Sequence, residues 1–175
     1  AVFHDVSLLR MTGVNSSIKK KSSVEIKDLR LLETNQTIPL LEEMLELVKG
    51  RIPLLIEIKS NYFAGRFERA VLNALKDYQG EYAIESFNPL TVLWMKENAK
   101  HILRGMLSRS LLRAKMYAKI TQPHFLAVNI TGLKTKDNEL STRKIPIIGY
   151  TTKSQSEFDQ GKKICNNIIF EGFQP

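Results

Sequence analysis

The sequence predicts an α/β fold built on a parallel sheet, and two observations predict it. From residue 52 onward, six short apolar runs that fit strands alternate with segments whose apolar residues mostly recur at helical spacing. Turn and cap residues, among them Gly80, Asn88-Pro89, Ser110 and Ser154, fall between the runs. Strands that alternate with helices pair in parallel through helical crossovers. Two closures satisfy this pattern, an open doubly wound sheet and a (β/α) barrel. No Gly-x-Gly-x-x-Gly fingerprint and no Walker loop follows any of the runs. That disfavours a nucleotide-binding open sheet.

The elements follow in order. Residues 1–4 read as a short strand ending at His4-Asp5. The first residue supplied already sits in that strand, so the natural N-terminus is expected to lie upstream. Thr12-Gly13 and Asn15-Ser16-Ser17 are turn-prone. Residues 23–32 hold one helical turn or two. A clear helix begins near Pro39, with Leu41, Met44, Leu45 and Val48 on one stripe and Glu42, Glu43 and Glu46 outside it. Leu40 stands where a helix cap would, and Gly50 ends the helix. A strand is expected over 52–59 and a helix over 67–78, closed by Gly80. The next strand is 82–87. Asn88 caps the following helix with Pro89 in its first turn, and Leu90, Leu93 and Trp94 form its expected buried face. Then come strand 101–107, a helix from Ser110 to about residue 120, and strand 125–130. Residues 131–144 read as loop with at most a short helix. Strand 145–151, helix 154–163 and strand 167–171 complete the chain.

At 175 residues and 43% hydrophobic content, the chain is expected to form one domain, 1–175, with a sizeable core. A single cysteine, Cys165, excludes an internal disulfide, so nothing demands an oxidising compartment and a cytoplasmic location is the expectation. No apolar run approaches the roughly 20 residues of a membrane span, so membrane association through this segment is not expected. The formal charge of +8 favours anionic partners. Only Lys19-Lys20-Lys21 forms a basic run, and no aromatic-interleaved basic stripe accompanies it. Nucleic acid is therefore not the expected partner.

The chemistry concentrates in Ile52-Pro53-Leu54-Leu55-Ile56-Glu57-Ile58-Lys59-Ser60. This near-continuous apolar run suits a strand buried on both faces. Strand side chains alternate, so Ile52, Leu54, Ile56 and Ile58 take one face and Leu55, Glu57 and Lys59 the other. A carboxylate and an ammonium thus share one face at the strand's C-terminal end. Parallel sheets and barrels place their ligand sites there. The pair is either a metal- or phosphate-binding element or a solvated strand end; spacing alone leaves both open. His4, next to Asp5, is a candidate general acid/base or a turn histidine. His101 and His124 begin strands, at the end opposite a barrel's active mouth, and Cys165 has no histidine partner in sequence.

An ordered series links these points: Val2-Phe3-His4-Asp5, Leu9-Arg10, Thr12-Gly13, Ile38-Pro39 before Glu42-Glu43, Ile56-Glu57-Ile58-Lys59, Ser86-Phe87-Asn88-Pro89, Arg104-Gly105, Val128-Asn129 and Gly149-Tyr150-Thr151. This series resembles the glycerophosphodiester phosphodiesterase family of TIM-barrel phosphodiesterases, over essentially the whole chain. The resemblance implies a (β/α)8 TIM-type barrel lacking its first two strands in this sequence. In the family those strands end in His-Arg-Gly and Glu-x-Asp, and neither motif stands upstream of Ala1 here.

The resemblance also implies roles. Glu57 matches a metal ligand, and a hard cation held by carboxylates should be Ca²⁺ or Mg²⁺. Lys59 matches the residue that meets the substrate phosphate. His4 matches the second of two catalytic histidines, with Asp5 orienting its imidazole or capping the next turn. Phe87 and Tyr150 match groove-lining positions, with Tyr150 where the family commonly has Trp. Asn129 and Glu171 end late strands as supporting polar groups. The implied reaction is metal-dependent hydrolysis of glycerophosphodiesters to glycerol 3-phosphate and an alcohol, in lipid metabolism. The competing expectation is an inactive barrel fragment or a module that binds anionic headgroups. With Glu57 the one family metal ligand present, the sequence as it stands is expected to have weak metal affinity and little activity.

Overall fold

The computed structural model describes residues 1–60, 63–133 and 145–175. The helices are α1 (Leu9–Thr12), α2 (Ser23–Lys27), α3 (Leu41–Val48), α4 (Arg66–Leu75), α5 (Pro89–Asn98), α6 (Leu111–Thr121) and α7 (Gln155–Lys162). The strands are β1 (Leu54–Glu57), β2 (Tyr82–Ser86), β3 (Leu103–Ser108), β4 (Phe125–Asn129), β5 (Ile147–Thr152) and β6 (Asn167–Phe170). Two compact units divide the residues: 1–52 with 71–80, and 53–70 with 81–175. No helix among the described residues is long and apolar enough to cross a membrane.

The first unit is built from short turns and helices. Residues 1–5 form no strand; a backbone bond from the Val2 N–H to the Pro39 carbonyl (2.9 Å) ties them down instead. The apolar letters there serve a cluster, not a ladder. Leu8, Ile26 and Ile38 are buried together, with Phe3, Val14 and Ile18 against them. Helix α2 starts with a full capping box: Ser22 Oγ accepts from the Glu25 N–H, and the Glu25 carboxylate accepts from the Ser22 N–H at 2.8 Å. Helix α3 has half of one. Glu43 accepts from the Leu40 N–H at 2.8 Å, but the leucine side chain cannot return the bond. Gly50 and Gly80 lie backbone to backbone; a Cβ on Gly80 would come within 2.6 Å of the Gly50 Cα, so neither position admits a side chain freely.

The second unit is the sheet. Its six strands are all parallel and run in strictly sequential order, β1 to β6. A doubly wound sheet reverses strand order at a switch point. Nothing reverses here, so every crossover progresses the same way, as in a barrel. The fold is that of a truncated TIM-type α/β barrel, with six strands among the described residues. One sheet face packs on helices: Met106, Leu126, Val128 and Ile147 are buried against Val92 of α5 and Leu111 and Ala114 of α6. The other face carries Leu107, Phe125 and Ala127, with Ile148 and Tyr150 beside them. Full burial of one such side chain is worth about 1.5–3 kcal/mol, so these two layers hold the unit together.

Several expectations shift by a few residues or change face. Leu55 is 41% exposed, because β1 is an edge strand of the sheet and Leu55 lies on the face that lacks helices. Helix α5 buries Thr91, Val92 and Met95, while Leu90 is exposed and Trp94 half-buried, stacked under the Arg69 guanidinium at 5.8 Å. The Asn88-Pro89 start stands, with Asn88 accepting from the Leu90 N–H. Ser110 occupies the N-cap of α6 but makes no side-chain capping bond. After β4 a short 3-10 turn covers Ile130–Gly132, and the rest of the expected loop, 134–144, lies outside the described residues.

Gly105 of β3 receives the Phe125 ring, which a Cβ there would meet at 2.1 Å. Gly105→Ala should therefore destabilise the protein by about 1–3 kcal/mol, the usual cost of overpacking. Adding Phe125→Leu should recover part of that loss in urea denaturation. A neutral Gly105→Ala would show that the ring does not fill the position.

Candidate functional site

The site begins where β1 stops being apolar. Glu57 ends the strand, and the Ile58 N–H carries the ladder one step further to the Glu85 carbonyl at 2.8 Å. Alternation then sets Glu57 and Lys59 on one face, and Lys59 Nζ donates to Glu57 Oε2 at 2.6 Å. The two side chains are 25% and 36% exposed, at the edge of solvent. An ammonium this close holds the carboxylate in place and keeps both charges at the strand end.

The segment behind Lys59 is anchored. Glu68 is fully buried and accepts from Thr91 Oγ1 and from the Gly65 N–H, both at 2.6 Å. Ser60 Oγ is hydrogen-bonded to Thr91 Oγ1 and accepts from Asn88 Nδ2 at 3.1 Å. Ser86 Oγ donates to the Ile58 carbonyl at 2.7 Å. Burial pushes the Glu68 carboxyl up, but these donors outweigh it, and its pKa ends below the ordinary value. The loop leaving β1 is thus tied to the start of α5.

Glu85 is the residue that sequence reasoning misses. It is the Cα partner of Glu57 across β1 and β2, on the same face, and only 5% exposed. Its Oε2 is buried with no hydrogen-bond partner among the described residues. Burial pushes its pKa up to about 7, helped by the Glu57 charge and opposed by Lys59. The signal was present: a lone glutamate in Tyr82-Ala83-Ile84-Glu85-Ser86, within an otherwise buried strand. Reading each strand separately hid it, because its meaning comes from the register with Glu57.

Aromatic residues close this face. Phe87 follows two residues after Glu85 and meets the Tyr150 ring edge-on, centroids 6.1 Å apart. The Tyr150 hydroxyl is buried without a partner among the described residues. Burial pushes it up to about 12; Arg109 opposes this, and the Glu57 and Glu85 charges add to it. Both carboxylates and Arg109 therefore lie within electrostatic reach of the phenol. Asn129 is the Cα partner of Tyr150 and uses its Oδ1 to accept from Thr131 N–H and Oγ1, which shapes the turn after β4. Glu171 pairs with Lys153 at 2.8 Å, an exposed ion pair just past the end of β6.

His4 and Asp5 belong to the first unit. The His4 side chain is 81% exposed, and its Nδ1 lies 2.7 Å from Asp5 Oδ1. Asp5 Oδ2 accepts from Arg10 Nε at 2.6 Å. The Arg10 hydrogen bond first, then His4, holds the Asp5 carboxyl down to about 2. Asp5 therefore stays ionised and orients the imidazole rather than capping a turn. His101 is exposed. His124 Nδ1 accepts from the Arg104 N–H at 3.1 Å, and burial lowers its pKa. Cys165 packs against the helix-side core, and burial pushes its thiol up.

For a hard divalent cation the fit is partial. Among the described residues no cluster of three or more His, Cys, Asp or Glu is arranged to hold a metal. Glu57 and Glu85 offer carboxylate oxygens on adjacent strands, one of them buried and unpartnered. That donor type suits Ca²⁺ or Mg²⁺, with water and substrate oxygens needed to complete the shell.

Glu85 sets a pH dependence. Its folded pKa lies above its ordinary value near 4.5, so the folded state holds the proton more tightly. Its contribution to stability is full below about pH 4.5 and is lost as pH rises through about 7, a change on the order of 3 kcal/mol. Denaturant unfolding in EDTA should show this slope, and Glu85→Gln should flatten it. An unchanged slope in the variant would place the titration elsewhere.

The comparisons with known proteins agree with this geometry. The model of the glycerophosphoryl diester phosphodiesterase family matches residues 1–169. A phosphodiesterase from Oleispira antarctica, solved in complex with the product sn-glycerol-3-phosphate, is similar at 18% identity with a TM-score of 0.86, covering 96% of this chain and 74% of that one. The glycerophosphodiester phosphodiesterase of Thermotoga maritima is similar at 22% identity and 0.74, with coverage of 96% and 74%. One from Parabacteroides distasonis is similar at 18% and 0.80, with coverage of 96% and 72%. No curated protein matches. The sequential parallel sheet, the strand-end Glu57–Lys59 pair and the family match over nearly the whole chain lead to one conclusion: this chain belongs to the glycerophosphoryl diester phosphodiesterase family, and its enzyme class is that of the glycerophosphodiester phosphodiesterases.

Proposed function

We propose that this protein hydrolyses glycerophosphodiesters to glycerol 3-phosphate and an alcohol, with a divalent cation, Ca²⁺ or Mg²⁺, at Glu57. The observation that carries the reading is the Glu57–Lys59 pair at the C-terminal end of β1, 2.6 Å apart and open to solvent on one side. Water adds to phosphorus, the P–O bond to the alcohol breaks, and the proton lost by the water ends on the leaving oxygen. When bound, the cation supplies charge neutralisation to the phosphate oxygens. Lys59 binds a non-bridging oxygen as a point charge and orients the diester. Glu57 holds Lys59 in position and offers its other oxygen outward. The resemblance assigns proton transfer to His4, whose Nδ1 is paired with Asp5. Phe87 and Tyr150 give the substrate an aromatic wall.

A second reading has its own support. The exposed Arg109 and Arg113 beside the aromatic wall support a module that binds anionic headgroups without turning them over. Release of glycerol 3-phosphate from glycerophosphocholine separates the two. Hydrolysis should be abolished by EDTA and restored by Ca²⁺ or Mg²⁺; binding without release would establish the module instead.

Variants should differ in kind. Glu57→Gln should lower turnover by at least about 10²-fold, as for loss of one strong electrostatic stabiliser, and weaken cation affinity in calorimetry. Lys59→Ala should cost a similar factor while cation affinity stays. His4→Ala should keep both cation and substrate binding and slow turnover. Wild-type turnover and cation affinity in Glu57→Gln would make the end of β1 structural.

A further inference from the structure

Beside the aromatic wall lies a cleft of about 670 Å³ at the C-terminal end of β3. Phe87, Ser108, Arg109, Ser110, Arg113 and Tyr117 line it, and among the described residues no carboxylate does. Arg109 and Arg113 are both exposed, and neither has an ion pair among the described residues. Ser108 fixes the turn between them and the strand. Its Oγ donates to the Ser110 carbonyl at 2.9 Å and accepts from the Ser110 N–H at 3.2 Å. Arg113 sits in the first turn of α6, which contains no acid. A cation at that end opposes the helix dipole, where acids are the stabilising choice. Two unpaired guanidinium groups facing one acid-free cleft are an arrangement that an anion would relieve.

The cleft adjoins the site already described. Phe87 belongs to both, lining the cleft and meeting Tyr150. Arg109 reaches the Tyr150 phenol electrostatically from the cleft side. A diester held at Lys59 can extend one arm past Phe87 toward the arginines.

We propose that Arg109 and Arg113 form a subsite for a second anionic group, a phosphate or carboxylate, carried on the leaving alcohol of the diester. The inference rests on the phosphodiesterase reading and adds a substrate class to it. Arginine suits the task because its planar fork binds such groups through two parallel hydrogen bonds. Phe87 and Tyr117 give the carbon skeleton between the two anions apolar walls. The cleft lies on β3 and α6, inside the sheet unit, so its walls come from neighbouring elements.

A matched pair of substrates tests this: glycerophosphoglycerol and the same diester bearing a terminal phosphate. The phosphate-bearing diester should have a kcat/KM at least about tenfold higher, and calorimetric titration in EDTA should show a similar gap in affinity. In Arg109→Met/Arg113→Met the ratio between the two substrates should fall to within about twofold of one, and Arg113→Lys should retain part of it. No preference in the wild-type protein, or a preference that survives the double variant, would overturn the subsite. Inorganic phosphate separates a carried group from a free ion. If it binds as tightly as the phosphate-bearing diester and is lost in the double variant, the cleft is a phosphate site and not part of the substrate path. If glycerol 3-phosphate is released from neither diester while the affinity gap persists, the hydrolase reading fails and the subsite stands.

Discussion

The Glu57–Lys59 ion pair is the constraint on which the rest of the site depends. It places opposite charges 2.6 Å apart where a parallel ladder ends, on the sheet face that carries no helices. Glu85 sits beside it in register and turns a simple strand-end pair into a row of two carboxylates and one ammonium. The row is out of balance by one negative charge. Burial, and after it the Glu57 charge, raises the Glu85 pKa, and a cation or a cationic substrate edge would offset the excess charge. The partnerless Oε2 of Glu85 and the partnerless Tyr150 hydroxyl lie on the same face. Unpaired buried polar atoms are costly, and a bound group on this face would satisfy two of the four found among the described residues, the others being Arg104 Nε and Thr152 Oγ1.

The fold supplies the precision. One sheet face is cemented to α5 and α6, which leaves the opposite face free to present chemistry. Phe125 fills the space left by Gly105 on that face and so floors the site with a rigid ring. The Glu68–Thr91–Ser60–Asn88 network locks the segment that leaves Lys59. Polar side chains held by such a network keep their geometry better than those on a bare loop. The arginine cleft at the end of β3 uses the same logic, with the Ser108–Ser110 turn fixing where Arg109 departs.

Much of this was legible in the sequence. The strand–helix alternation shows in the periodicity, and the family shows in the ordered motifs, because both depend on local residue choice. That Glu57 and Lys59 share one face at the strand end was readable from alternation; roles for them came only from the resemblance. Glu85 was not readable, since only strand register places it beside Glu57. The strand expected at residues 1–4 failed for a related reason: Val2 and Phe3 are apolar, but no neighbouring strand pairs with them, and Phe3 serves a helix-and-turn cluster. Helix α5 buries the stripe Thr91, Val92 and Met95, rotated one position from the expected one, while Trp94 stacks under Arg69. Arg109 and Arg113 look in sequence like scattered positive charge; the cleft gives them a common direction.

The most direct test of the account is a crystal structure of the protein soaked with glycerol 3-phosphate. The account predicts a phosphate oxygen within hydrogen-bond distance of Lys59 Nζ, at the C-terminal end of β1, with the Phe87 and Tyr150 rings beside the bound molecule. Phosphate bound instead near His124 and Arg104, at the opposite end of the strands, with Lys59 still closed on Glu57, would contradict it.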